Sequence, residues 1–142
     1  MVRAIKKWKD VANLDMKSLT AEVLAVNCMP APQSGQVLSR QAALQQFFTA
    51  AASAVMDGVT DPAGWCGEIQ PGLDRAAARA ALLEAADVTA RAVAAEQRGD
   101  HDSTVCLWRS VFGPDFPEPP GGCRQPGRPP RQLSSPVVSR RS

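Results

Sequence analysis

Between Asp74 and Gly99 the chain reads "RAAARAALLEAADVTARAVAAEQR", without one glycine or proline. No other stretch limits the fold so strongly. Alanine is the best helix former and a weak strand former, so this run predicts one long helix. Asp74 can cap its start and Gly99 can end it, with Leu82, Leu83, Ala86 and Val93 on the inner side. Alanine also dominates the apolar residues of the whole chain, which has four Phe, three Trp and no Tyr. Small interior side chains suit helices at close approach. With 142 residues, enough for one ordinary domain, the expectation is an all-α fold: a compact bundle of about five helices over residues 1–118, with a disordered tail at 119–142.

The remaining helices follow from spacing. "VRAIKKWKDVA" places Val2, Ile5, Trp8 and Ala12 on one face, and "NLD" breaks the pattern with the turn formers Asn13 and Asp15. "KSLTAEVLAVNCM" resumes it, with Ser18 as a plausible N-cap and Leu19, Val23 and Leu24 on the apolar side. Glu22 falls one residue late for a capping box, and Pro30 and Pro32 close the segment. In "VLSRQAALQQFFTAAASAVMDG", Val37, Leu44, Phe48, Ala51 and Val55 recur at helical steps before Gly58. "VTDPAGWCGEIQPGL" is too rich in Pro and Gly for a long element, and its Trp65 reads as an inward anchor. After Gly99, Asp100 caps "HDSTVCLWRSVFG", with Val105, Trp108, Val111 and Phe112 as its stripe and Gly113-Pro114 as its stop. Trp8, Phe48, Leu83, Trp108 and Phe112 are the large side chains expected to be buried.

Charge divides the chain. Residues 1–118 hold 11 Lys/Arg against 14 Asp/Glu, and residues 119–142 hold five Arg and no acid. The basic character therefore belongs to the tail, which should attract polyanions weakly, with strong salt dependence and no specificity for any nucleic acid. Cys28, Cys66, Cys106 and Cys123 show no C-x-x-C spacing, and His101 is the single histidine. A structural zinc site is therefore not expected, and the thiols read as reduced in a cytoplasmic protein. "MVRAIKKWKD" reaches no apolar signal-peptide region, and no apolar window approaches the roughly 20 residues of a membrane span.

Catalytic signatures are missing as well: G-x-S-x-G, the P-loop and G-x-G-x-x-G do not occur. Asp100-His101-Asp102 reads as capping chemistry rather than a metal pair, since acids are favoured at a helix start. Lys6, Lys7 and Lys9 surround Trp8. They read either as a solvated helix face or, with the Ser18 hydroxyl, as a grip on a phosphate chain.

"VRAIKKWKD…MKSLTAEVLAV" resembles the start of the helical half of the cyclic GMP-AMP synthase/DncV-like nucleotidyltransferases, relatives of the oligoadenylate synthases. Arg3, Lys6, Trp8, Ser18 and Glu22 fit that pattern, with Ala21 where leucine is usual. The D-P-x-G loop, the Ala-rich helix, the G-D turn and the "WRSVFG" ending are similar to the closing segment of bacterial members. The likeness spans residues 2–118. It implies nucleoside triphosphates as substrates and cyclic or linear oligonucleotide messengers of antiphage defence as products. Lys6 and Ser18 would contact the triphosphate, and Lys7 and Lys9 would be solvated. In the family the Mg-binding carboxylates lie on an α/β palm that precedes this segment, and this sequence contains no such set. Two-metal phosphoryl transfer needs those acids. Three alternatives stand: a half-enzyme active with a palm in trans, a non-enzymatic helical interaction or regulatory module, and a gene fragment without a function of its own.

Overall fold

A computed structural model describes residues 2–30, 38–65 and 67–123. Val37, Cys66 and residues 124–142, on which parts of the expectations above fall, lie outside the described residues. Five helices follow in order: α1 (Val2–Val11), α2 (Ser18–Cys28), α3 (Arg40–Ala54, continued by a 3-10 turn Val55–Asp57), α4 (Arg75–Gln97) and α5 (His101–Phe112). Among the described residues the sole β pairing is an isolated bridge between Thr60 and Glu68. The fold is all-α, as alanine content and periodicity require.

Helix α4 is the central piece and packs most extensively on α3 and α5. Its buried stripe is Ala78, Leu82, Ala85, Thr89, Ala92 and Ala95. Small residues at most of these positions let α3 bring Phe47 and Phe48, both fully buried, into the centre. Trp8 of α1 meets Phe48 edge-on at 5.3 Å, and Phe47 meets Phe48 at 5.3 Å, an arrangement aromatic quadrupoles favour. Thr89 has no exposed surface, yet its hydroxyl donates to the carbonyls of Ala85 and Ala86, so its burial leaves nothing unpaired.

Several expected core positions need correcting. Leu83 is 41% exposed, because the stripe runs through Leu82 and Ala85 and turns the adjacent leucine outward. Leu19 is 54% exposed, with Thr20, Ala21, Val23, Leu24 and Ala25 facing inward in its place. Phe112 and Val105 are half-buried. Trp65 is 88% exposed. Its loop is already closed by backbone bonds (Asp61 N–H to Gly67 O, 2.6 Å; Ile69 N–H to Val59 O, 2.8 Å) and anchored by buried Val59 and Leu73. No aromatic anchor is needed there.

The expected boundary of the tail also moves. Gly113-Pro114 reverses the chain, and the following segment lies back along α5. Phe116 joins a ring series with Phe112 and Trp108 (6.4 and 5.9 Å). Arg109 donates to the carbonyls of Phe116 and Pro114 and pairs with Glu118 at 3.2 Å. Pro119 is buried, and Cys123 forms a disulfide with Cys106. The expectation of reduced thiols fails for this pair. Their 17-residue separation in sequence becomes a Cα–Cα distance of 5.4 Å, within disulfide reach, only because the reversal at Gly113 brings them together.

Candidate nucleotide-contacting corner

Of the residues singled out by sequence, Lys6 and Glu22 meet across α1 and α2. Asn13 takes the left-handed conformation (φ 53°), and the Leu14 N–H donates back to the Lys9 carbonyl, so the connection is tight. Met16, 3% exposed, pins the turn to the core. Helix α2 then begins at Ser18. Lys17, not Ser18, occupies the cap position, and no side chain of its own caps the helix.

The cap comes from far away. Gln70, in the loop before α4, accepts at Oε1 from the Lys17 N–H (2.8 Å) and from the Thr20 hydroxyl (3.0 Å). Its Nε2 donates to the Asp15 carbonyl at 3.1 Å. One amide thus satisfies an orphan donor of the helix start, a buried threonine and the preceding turn. Sequence spacing gives no sign of it.

Lys6 extends from α1 to α2, where its ammonium pairs with Glu22 at 2.5 Å. Glu22 lies one turn after Ser18, so Lys6, Ser18 and Glu22 share one outward face. The two charged side chains are 37% and 40% exposed, so the pair contributes only about 0–1 kcal/mol, the range of surface pairs. Ser18, one turn before Glu22 on α2, is exposed.

The other two lysines are not simply solvated. Lys7 donates to Asp115 at 2.8 Å and thereby ties α1 to the segment after α5. This hydrogen bond and the ammonium's charge hold the Asp115 carboxyl below its usual range. Lys9 pairs with Asp10 at 3.1 Å, and only 13% of its side chain is exposed. Asp100 caps α5 by accepting from the Ser103 N–H at 3.2 Å. Hydrogen bonds from Ser103, side chain and backbone, lower its pKa. Asp100 of the D-x-D stretch caps as read, and Asp102 lies in the first turn. Among the described residues no group of three or more His, Cys, Asp and Glu is placed to hold a metal ion.

Two grooves flank α4 and α5. One, of about 590 Å³, is lined by Trp8, Val11, Ala85, Val88, Leu107 and Val111, with Glu84 and Asp87 beside them. The other, of about 730 Å³, is lined by Arg91, Arg98, Ser103 and Ser110, and by Gly121 and Gly122 of the returning segment. Asp102 shares that second groove, and Arg91 already pairs with Asp87 at 3.2 Å. No protein-family model matches the chain, and no curated protein matches it significantly. Among the described residues, no helix is long and apolar enough to cross a membrane.

Proposed function

We propose that this chain is the helical, nucleotide-contacting half of a nucleotidyltransferase that joins nucleoside triphosphates into cyclic or linear oligonucleotide messengers, with catalysis supplied by a palm domain. One observation carries the proposal. Lys6, a residue the family resemblance assigns to the triphosphate, pairs with the half-exposed carboxylate of Glu22, which lies one turn along α2 from Ser18, the other such residue. The lysine supplies a point charge for a terminal phosphate, and the serine hydroxyl supplies a donor for a neighbouring oxygen. Glu22 keeps the ammonium in place until the phosphate replaces it. Magnesium enters through the palm's carboxylates, and this chain's part is to position the phosphate chain.

The test is nucleotide binding and turnover by the chain mixed with a bacterial palm of the resembled family. Lys6→Ala is expected to weaken triphosphate binding roughly ten- to a hundredfold, the worth of one charge-assisted contact. Glu22→Gln is expected to tighten it, and Lys7→Ala to leave it unchanged. Unchanged binding in Lys6→Ala refutes the assignment.

A second reading, a helical interaction module that binds no nucleotide, draws on a different observation. All three lysines of α1 have carboxylate partners within the chain. Under that reading the triphosphate affects neither Lys6 nor Ser18 in the mixture, and Glu22→Gln changes nothing.

A further inference from the structure

The segment that returns along α5 is tied to the helices in two different ways. Up to Pro119 its ties are several and non-covalent. Arg109 donates to the carbonyls of Pro114 and Phe116 and pairs with Glu118. Lys7 holds Asp115, the Phe116 ring meets Phe112 at 6.4 Å, and Pro119 is buried. Beyond Pro119 the pattern changes. The Gly122 N–H donates within the segment, to the Pro119 carbonyl. Cys106 Sγ lies 3.8 Å from the Gly122 carbonyl, but a disulfide sulfur carries no proton to donate. Among the described residues, no other hydrogen bond and no ion pair joins residues 120–123 to a helix. The Cys106–Cys123 bond alone keeps this short strap on α5.

We propose that the strap is a redox-controlled latch: oxidised, it lines the groove between α4 and α5; reduced, it leaves the groove while the rest of the fold stays in place. Arg91, Arg98, Ser103 and Leu107 line that groove of about 730 Å³ from the helices, and Gly121 and Gly122 line it from the strap. Release is easy at this point in the chain. Two consecutive glycines precede Cys123, and glycine regains more backbone freedom than any other residue when it is let go. The hinge falls just after Pro119, where burial and the Arg109 clamp end. Cys106 and Cys123 are half-buried, so a thiol can reach the bond between them.

The reductant is a dithiol. One of its thiolates attacks a sulfur of the bond and displaces the other sulfur as a thiolate, leaving a mixed disulfide. Its second thiol then displaces the remaining cysteine. The S–S bond of the protein breaks, one forms in the reductant, and Cys106 and Cys123 take up two electrons and two protons. The latch needs no nucleotide, and it goes beyond the function proposed above.

The full chain, isolated without reductant and kept native, is treated with dithiothreitol to test this. Alkylation and mass spectrometry are expected to find Cys106 and Cys123 blocked before the treatment and free after it, with no denaturant present. Amide exchange at Gly122 is expected to quicken at least about fivefold, while the Phe116 amide, which donates to Gly113, changes by less than about twofold. Hydroxyl-radical labelling of Leu107, half-buried in the groove, is expected to rise. Glutathione disulfide should reverse all three changes, and Cys106→Ser should match the reduced chain with or without reductant. A bond that yields only in urea overturns the proposal, as does Leu107 labelling that stays constant. Loss of Phe116 protection as large as that of Gly122 overturns it too, and makes the bond a staple of the whole returning segment. So does a Gly122 amide that stays protected in Cys106→Ser.

Discussion

Replacing Gln70 by alanine should destabilise a helix that lies about fifty residues away in sequence. The side chain makes three bonds, to the Lys17 N–H, the Thr20 hydroxyl and the Asp15 carbonyl. An intramolecular hydrogen bond contributes about 0.5–1.5 kcal/mol net, and loss of an N-cap costs about 0.5–2 kcal/mol. These figures overlap, because the bond to Lys17 is the cap. Thr20 adds a separate penalty, since it has no exposed surface and its hydroxyl would lose its partner. Water can reach Lys17 and Asp15, which are exposed, so their share lies at the low end. The total comes to about 2–3 kcal/mol. Urea unfolding followed by far-UV circular dichroism reads this as a lower midpoint at unchanged slope. Gln46→Ala, on the outside of α3, is the control and should fall within about 0.5 kcal/mol of wild type. Gln70→Glu keeps the acceptor but loses the donor to Asp15, and should cost less than alanine. A loss below about 0.5 kcal/mol in Gln70→Ala would refute the claim that this amide organises the α1–α2 corner.

Gly113 has φ 88° and ψ −177°, a region open in practice to glycine alone, and a Cβ there would lie 2.9 Å from Val11 Cγ2. Gly113→Ala should therefore cost about 2 kcal/mol, measured by the same urea midpoint. Cys106→Ser removes a crosslink spanning 17 residues, worth up to about 3 kcal/mol in the chain-entropy account. Reductant should lower the midpoint of the wild type and leave Cys106→Ser unmoved. Asp115 has its carboxyl held below the ordinary 3.8 by Lys7. Its contribution is thus complete above that value and is lost as pH falls through the lowered one. Protection of the Phe116 amide, which donates to the Gly113 carbonyl, measured relative to its intrinsic exchange rate, should hold from neutral pH through the ordinary carboxylate range and fall only as the lowered Asp115 value is crossed. Lys7→Ala should remove the step.

What could be read from the sequence was what neighbouring residues decide. Asp74 and Asp100 cap their helices, and Gly99 and Gly113 end theirs, because capping involves residues three or four apart; the Ser39 cap of α3 comes from the structure. Period alone placed Leu44, Phe48, Ala51 and Val55 of α3 and Ile5 and Trp8 of α1 inward, whereas Val2 and Ala12, read on the same face of α1, are exposed at its two ends. On α4 the same reasoning chose Leu83 beside Leu82, since alanine is silent about which way a helix faces. A step of one residue is about 100° of rotation, enough to turn a core leucine into a surface one.

The candidate site was legible as a set of residues and illegible as a network. Lys6, Ser18 and Glu22 were all singled out, yet nothing in their spacing joins Lys6 to Glu22. Glu22, one position too late to cap α2, is placed by that same displacement on the turn that α1 approaches. Gln70 and Asp115 went unnoticed because their partners lie 53 and 108 residues away, where no periodicity connects them. Each of these ties crosses between elements that the apolar core has already brought together. The core makes such contacts available, and polar side chains at its rim then fix the geometry of the corner. Substitutions at Lys6, Glu22 and Gln70 therefore address the proposed function more directly than any change in the alanine-rich interior, which would alter fold and function together.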